Sequence, residues 1–174
     1  DQWLPKKLEK KIALIQKLPP KVGLIYCWMD YYNNEKLIHK HRPKLQGSVF
    51  PMVLDQQRIG GCPTLLIRKE ILINMGGFDI TIRRGNDGDL IRRICKKYDV
   101  DFVPEVLVKV NVGHGYSSIG SSSKESIKNA IYGQKVKFIK FKSELESLPK
   151  QKSKIYSYIG YHYSELGQKI DSNN

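Results

Sequence analysis

The stretch Val22-Gly23-Leu24-Ile25-Tyr26-Cys27-Trp28-Met29 decides the fold class. It is almost continuously apolar and aromatic, without polar alternation, the pattern of a strand covered on both faces. Such a strand needs other layers above and below it, so an α/β architecture is expected. Upstream, Trp3-Leu4-Pro5 followed by Leu8, Ile12 and Ile15 at three- and four-residue steps predicts a helix with those apolar residues on its inner stripe, ending before Pro19-Pro20. Downstream, residues 33–61 are interrupted by His39, His41, Arg42, Pro43, Gly47 and Pro51 and read as a long variable region with short elements.

Residues 63–67 then read as a second apolar strand, and residues 69–75 as a short helix stopped by Gly76-Gly77. A helix over about 87–98 carries Leu90, Ile91, Ile94, Cys95 and Tyr98 on one side, with Arg92, Arg93, Lys96 and Lys97 on the other. Residues 101–103 and 106–112 are strand-like, the second segment running into Gly113-His114-Gly115. Ser121-Ser122-Ser123 reads as a linker and helix cap. It leads into a long basic helix marked by Ile127, Ile131, Phe138, Phe141 and Leu145, which Pro149 breaks. A last helix carries Ile155, Ile159, Tyr163, Leu166 and Ile170 on one face.

With 174 residues, the chain is long enough for one globular domain and a small appendage. Its hydrophobic share of 40%, with ten Tyr, five Phe and two Trp, excludes wholesale disorder. No window approaches the ~18 consecutive apolar residues of a membrane-spanning helix. The opening Asp-Gln-Trp shows no secretory leader. Cys27, Cys62 and Cys95 are odd in number, far apart and set in apolar or amphipathic stretches, so neither a disulfide framework nor zinc is indicated. They read as three reduced packing residues, and the expected location is cytoplasmic.

The net charge of +13 suits nucleic acid, an anionic membrane surface or phosphorylated substrates, and equally a lysine-rich solvated surface.

Chemistry is concentrated in Gly85-Asn86-Asp87-Gly88-Asp89, where two carboxylates stand at a helix start that favours their ionised form. The helical wheel puts Asp87 on the stripe of Ile91, facing inward, and Asp89 on the charged face with Arg93. An inward carboxylate beside glycine can line a cleft and act as a general base, although spacing alone favours a cap. Arg92 and Arg93 read by themselves as exposed partners of Asp89, and Gly76 and Gly77 as tight-turn residues.

The string GGFDITIRRGNDGDLIRRI, residues 76–94, resembles the acceptor-side motif of family 2 glycosyltransferases, a Gly-Gly-Phe-Asp turn before an acidic pair and an Arg-containing helix. DQWLPKKLEKKI, residues 1–12, is similar to the segment on the C-terminal side of that family's metal-binding DxD motif. GGCPTLLIRKEIL, residues 60–72, matches the strand and helix leading to its acceptor site. The resemblance covers residues 1–120 and is carried by three motifs in order.

It implies a partial GT-A fold, a mixed sheet with flanking helices and a helical tail, and inverting transfer of a sugar, hexosyltransferase-like, from a nucleotide-sugar donor to a hydroxyl acceptor. Asp87 would be the base. Gly76, Gly77, Asp79 and Asn86 would lie on the acceptor side. Asn86 stands where the family has Glu, which reduces the acidic pair to one acid. Asp1 corresponds to the acid after the DxD triplet, so the triplet and the nucleotide-binding half lie outside the chain. The chain reads as a fragment, inactive alone, whose parent protein would use a divalent metal, Mg or Mn. Asp1, Arg92, Arg93 and His114 would stand near the donor diphosphate or metal, although His114 alone reads as a solvent-exposed loop residue.

The implied division is an acceptor-side catalytic half over 1–120, a long basic helix over 121–148 and a packing helix over 149–174. In the last, YSYIGYHY resembles the first helix of a tetratricopeptide repeat. The competing readings are a basic nucleic-acid-binding module and a membrane-surface appendage, with residues 123–145 lying on anionic lipid at the inner membrane face. Nucleic acid is disfavoured because the basic residues scatter over several elements and no RNA-binding aromatic signature or helix-turn-helix stands out.

Overall fold

A computed structural model describes residues 1–56, 58–113 and 122–167. Its elements are β1 (Gln2–Trp3), α1 (Lys7–Lys17), β2 (Val22–Asn33), β3 (Lys36–His41), α2 (Phe50–Leu54), β4 (Leu66–Ile67), α3 (Lys69–Asn74), α4 (Asn86–Cys95), β5 (Asp99–Asn111), α5 (Lys124–Lys140), α6 (Lys142–Glu146) and α7 (Pro149–Glu165). The architecture is the mixed α/β one expected, an open sheet with helices and a helical C-terminal region, consistent with a partial GT-A-like fold. Among the described residues no helix is long and apolar enough to cross a membrane.

The chain divides into two compact units. One comprises residues 1–77 and 90–113. The other comprises residues 78–89 and 122–167, so the turn before α4 groups with the C-terminal helices.

In the first unit the strand order is β1-β5-β2-β3, with β4 also on β2. β2 and β5 run parallel, and β1, β3 and β4 are antiparallel to their neighbours. The unbroken apolar run of β2 has a direct cause. Leu24 and Tyr26 enter one core with Val49, Val53, Ile59, Ile71, Leu90, Ile91, Ile94 and Val100. Ile25, Cys27 and Met29 enter a second with Ile15, Val103, Leu107 and Val108. Each fully buried Leu or Ile contributes about 1.5–3 kcal/mol, so both faces of this strand hold the unit together. Gly23 is required by close packing, since a Cβ there would stand 2.8 Å from Ile71 Cδ1 and 2.9 Å from Tyr98 Cβ.

Several expectations are corrected. β2 extends to Asn33 rather than ending at Met29, because β3 pairs along its polar end. Residues 63–67 hold a 3-10 turn at Cys62–Thr64 and only two strand residues. The two strand-like segments after residue 100 form one irregular strand, β5, with its pairing register shifting beside Cys27 and Trp28. The inner stripe of α1 is displaced by one position: Lys7, Lys11 and Ile15 are buried, whereas Leu8 and Ile12 are 45% and 43% exposed. Cys62 is exposed rather than packed, while Cys27 and Cys95 are buried; all three are free thiols.

In the second unit, Ser123 caps α5, its side chain accepting from the Ser126 amide at 3.2 Å. Pro149 opens α7 rather than merely ending the previous helix, because a proline at the first helical position lacks only an amide that has no intrahelical partner. Ile155 and His162 are the buried residues of α7, which packs on α5 through Phe138 and Tyr156, their rings 5.2 Å apart. Ile170, placed on this face from the sequence, lies outside the described residues.

Candidate functional site

Because β2 and β5 are parallel, their carboxyl ends lie side by side, with Tyr32 paired to Asn111 and Asp30 to Lys109. β1 returns antiparallel along β5, pairing Gln2 with Lys109, and this brings Asp1 to the same end of the sheet. The result is an open cavity of about 440 Å³ lined by Asp1, Gln2, Tyr32, Asn34, Glu35, Lys109 and Asn111. Crevices beyond the carboxyl ends of parallel strands are where α/β sheets bind ligands, and this volume lies in the range of small-molecule sites.

The lining combines two carboxylates, three side-chain amides, a phenol and an ammonium. Lys109 Nζ lies 5.4 Å from the Tyr32 ring centroid, holding the cation on the aromatic face. Asn34 adopts φ 54° in the two-residue connection between β2 and β3, a left-handed conformation that Asn tolerates better than most residues. Gly113 passes so close that a Cβ would meet Asn33 Oδ1 at 2.2 Å and the Asn34 amide nitrogen at 2.8 Å. Donors and acceptors at this density suit a ligand rich in hydroxyl groups.

Among the described residues, Asp1 is the one candidate from the sequence that lines this cavity. Gln2, Tyr32, Asn34, Glu35, Lys109 and Asn111 are not among the sequence candidates. The usable signal was Asn33-Asn34-Glu35 as turn residues directly after a buried strand, which marks a strand end. His114 lies outside the described residues.

The acidic helix start belongs to the second unit. Asn86 Oδ1 accepts from the Asp87 amide at 2.8 Å, and Asp87 Oδ1 accepts from the Gly88 amide at 2.7 Å. Asp87 is half-buried. Asp89, expected on the charged face, is only 4% exposed and pairs with Lys140 Nζ at 2.9 Å. Lys140 also reaches Asp79 Oδ2 at 2.7 Å. Asp79 Oδ1 accepts from the Thr81 amide and hydroxyl at 2.9 and 2.6 Å. The Lys140 ammonium, with the Thr81 donors, holds the Asp79 carboxyl well below the usual carboxylate range.

The arginines are also corrected, since neither is exposed. Arg92 is buried and donates from Nε to the carbonyls of Val53 and Leu54 at 2.8 and 3.1 Å. Arg93 is half-buried and donates to the carbonyls of Met75 and Gly77, the latter at 2.7 Å. Gly76 and Gly77 take φ 73° and 64° and close the end of α3, Gly77 donating to the Leu72 carbonyl at 3.0 Å. Of the region around β3, Arg42 pairs with Asp30, and His39 and His41 stand with their rings 6.5 Å apart.

No protein-family model matches the chain. It is similar to an uncharacterized glycosyltransferase of Rickettsia typhi, 30% identical over 120 residues, which covers 64% of this chain and 37% of that protein. It is also similar to an uncharacterized glycosyltransferase of Rickettsia prowazekii, 28% identical over 120 residues with the same coverage. The chain thus spans little more than a third of the length of the curated relatives it matches.

Proposed function

We propose that the chain is the acceptor-side part of an inverting family 2 glycosyltransferase of GT-A fold, moving a sugar from a nucleotide-sugar donor to a hydroxyl of a glycan or similar acceptor. The observation that carries the reading is the 30% identity, over 120 residues, to a protein named a glycosyltransferase. The polar cavity at the carboxyl ends of β2 and β5 supports it, because carboxylates and amides bond sugar hydroxyls while an aromatic face packs on a sugar's apolar side.

Asp87 is the general base. Its carboxylate takes the proton of the acceptor hydroxyl as that oxygen bonds to the anomeric carbon. The bond from that carbon to the diphosphate oxygen breaks with its electron pair on the leaving group, and the configuration inverts. Asn86 presents its carbonyl oxygen to the Asp87 amide and orients the helix start. Gly76, Gly77 and Asp79 shape the acceptor side, and Asp1 and His114 belong to the donor side. Arg92 and Arg93 brace backbone carbonyls and act as positioning residues.

A divalent metal, Mg or Mn, would stabilise the departing diphosphate. Among the described residues no group of three or more His, Cys, Asp or Glu side chains is arranged to hold a metal ion, and Asp1 and Glu35 are the only carboxylates lining the cavity. The described residues therefore do not by themselves make up a metal site, and the chemistry assigned to them is the proton transfer at Asp87.

The test is sugar transfer from a panel of nucleotide-sugar donors by the full gene product and its Asp87→Asn variant. A general base accounts for about 10²–10⁴-fold in rate, so the variant should lose that much with an unchanged melting temperature. Equal activity rejects Asp87 as base, and no transfer by the unsubstituted protein from any donor rejects the reading as a whole.

A further inference from the structure

The C-terminal helical unit carries a feature that sugar transfer does not use. On α5, Lys124, Lys128, Tyr132, Lys135 and Ile139 follow one another at steps of four, four, three and four residues, which places them on one face. All five are exposed, Tyr132 by 46% and Ile139 by 74%. Elsewhere around the same helix Ser126, Ile127, Ala130, Ile131 and Lys137 are buried. At 1.5 Å per residue the 17-residue helix is about 25 Å long, so the stripe forms a line rather than a point.

α7 adds to this surface. Lys135 Nζ lies 5.7 Å from the Tyr163 ring centroid, and the exposed Tyr156 lies against Phe138.

We propose that this face of α5 docks on an anionic phospholipid bilayer. The charge is complementary: residues 122–167 contain nine Lys and four Glu. Lysines near a negatively charged membrane surface are each worth about 1 kcal/mol. The spacing of the stripe lets their long stems lie along the interface while Tyr132 and Ile139 enter the headgroup layer. Two observations favour lipid over nucleic acid. The segment contains no Arg, the residue whose planar fork suits phosphodiester recognition. The more exposed of the two large hydrophobic side chains on the stripe is the aliphatic Ile139, which gains by entering lipid and offers no stacking plane to a base.

The test is co-sedimentation of the full chain with vesicles of phosphatidylcholine alone or with one third phosphatidylglycerol. Binding to the anionic vesicles is expected, weakening as NaCl is raised. At about fivefold per Lys, from the 1 kcal/mol above, the triple variant K124Q/K128Q/K135Q should bind roughly 100-fold more weakly. A charge-matched variant in the other unit, K40Q/K44Q/K97Q, should retain binding, and I139S should weaken it with the charge intact. Circular dichroism of each variant verifies folding. Equal binding to both vesicle types, equal loss in the charge-matched variant, or tighter binding to an oligonucleotide that the K124Q/K128Q/K135Q change abolishes would each overturn the proposal. Because sugar transfer is not read in this assay, failure of the lipid surface leaves the Asp87 test untouched.

Discussion

Lys11 is fully buried on the inner side of α1, where its ammonium donates to the Thr64 carbonyl and stands beside the buried Cys27 thiol. Lys7, one turn earlier, is also buried. Its Nζ lies 3.5 Å from the Trp3 ring centroid and has no hydrogen-bond partner among the described residues. Burial brings the Lys11 pKa down to about 8 and pushes the Cys27 thiol up, each partly offset by the other's charge. The consequence for stability has a definite sign. Between pH 8 and the ordinary lysine value of 10.5 the unfolded chain binds more protons than the folded one, so Lys11 destabilises less as pH rises through that window. Below pH 8 the penalty is full and constant. Lys11→Met should therefore gain stability relative to the unsubstituted protein most at pH 7, with the difference shrinking from pH 8 upward; urea midpoints across that range measure it. Apolar spacing could not reveal this pair. Leu8, Ile12 and Ile15 make a good stripe on paper, yet the helix turns Lys7 and Lys11 inward because the Thr64 carbonyl and the Trp3 ring accept their heads there.

At the scale of elements, Arg68 ties α1 to the sheet. Its Nε donates to the Val22 carbonyl at 3.0 Å and its Nη2 to the carbonyls of Ile15 and Leu18 at 2.9 and 3.2 Å. These are the end of a helix and the start of a strand, where backbone carbonyls lack regular partners. Arg68→Ala removes three charge-assisted bonds from the carbonyls of the buried Ile15 and Val22 and the half-buried Leu18 and should destabilise by at least about 2 kcal/mol in denaturant titration, with Arg68→Lys recovering only part, since an ammonium cannot span the same fork. Arg92 and Arg93 use the same device on α2 and on the turn after α3. The sequence placed α1, α3, α4 and the start of β2 within a few residues, but it did not assign β1, β3, α2 or the 3-10 turn at Cys62–Thr64. It assigned Arg92 and Arg93 to the solvent face because amphipathic patterning treats every charge as exposed. A guanidinium that satisfies buried carbonyls breaks that rule, and nothing in its spacing says so.

For the molecule as a whole, the excess of 13 positive charges is the dominant electrostatic fact. Asp30, Asp55, Asp79, Asp89, Asp99 and Glu105 are already in ion pairs, so much of the lysine surplus faces solvent without a counter-charge. Self-repulsion then outweighs what salt takes from exposed pairs, which are worth little individually. The melting temperature at neutral pH should rise as NaCl is increased from millimolar to physiological levels, and a fall would show that the ion pairs govern instead. The sequence by itself determined the α/β class, since a strand such as 22–29 has no stable place except between two apolar layers. It also marked the acidic helix start at 86–89 and the basic run of α5. Only the tertiary structure decided which polar residues share a cavity. Asp1, Tyr32, Asn34, Glu35, Lys109 and Asn111 come from three separate stretches, and the parallel pairing of β2 with β5 and the antiparallel return of β1 bring them together. Strand pairing is a long-range choice made by the summed burial of both cores, and no local pattern of residues encodes it.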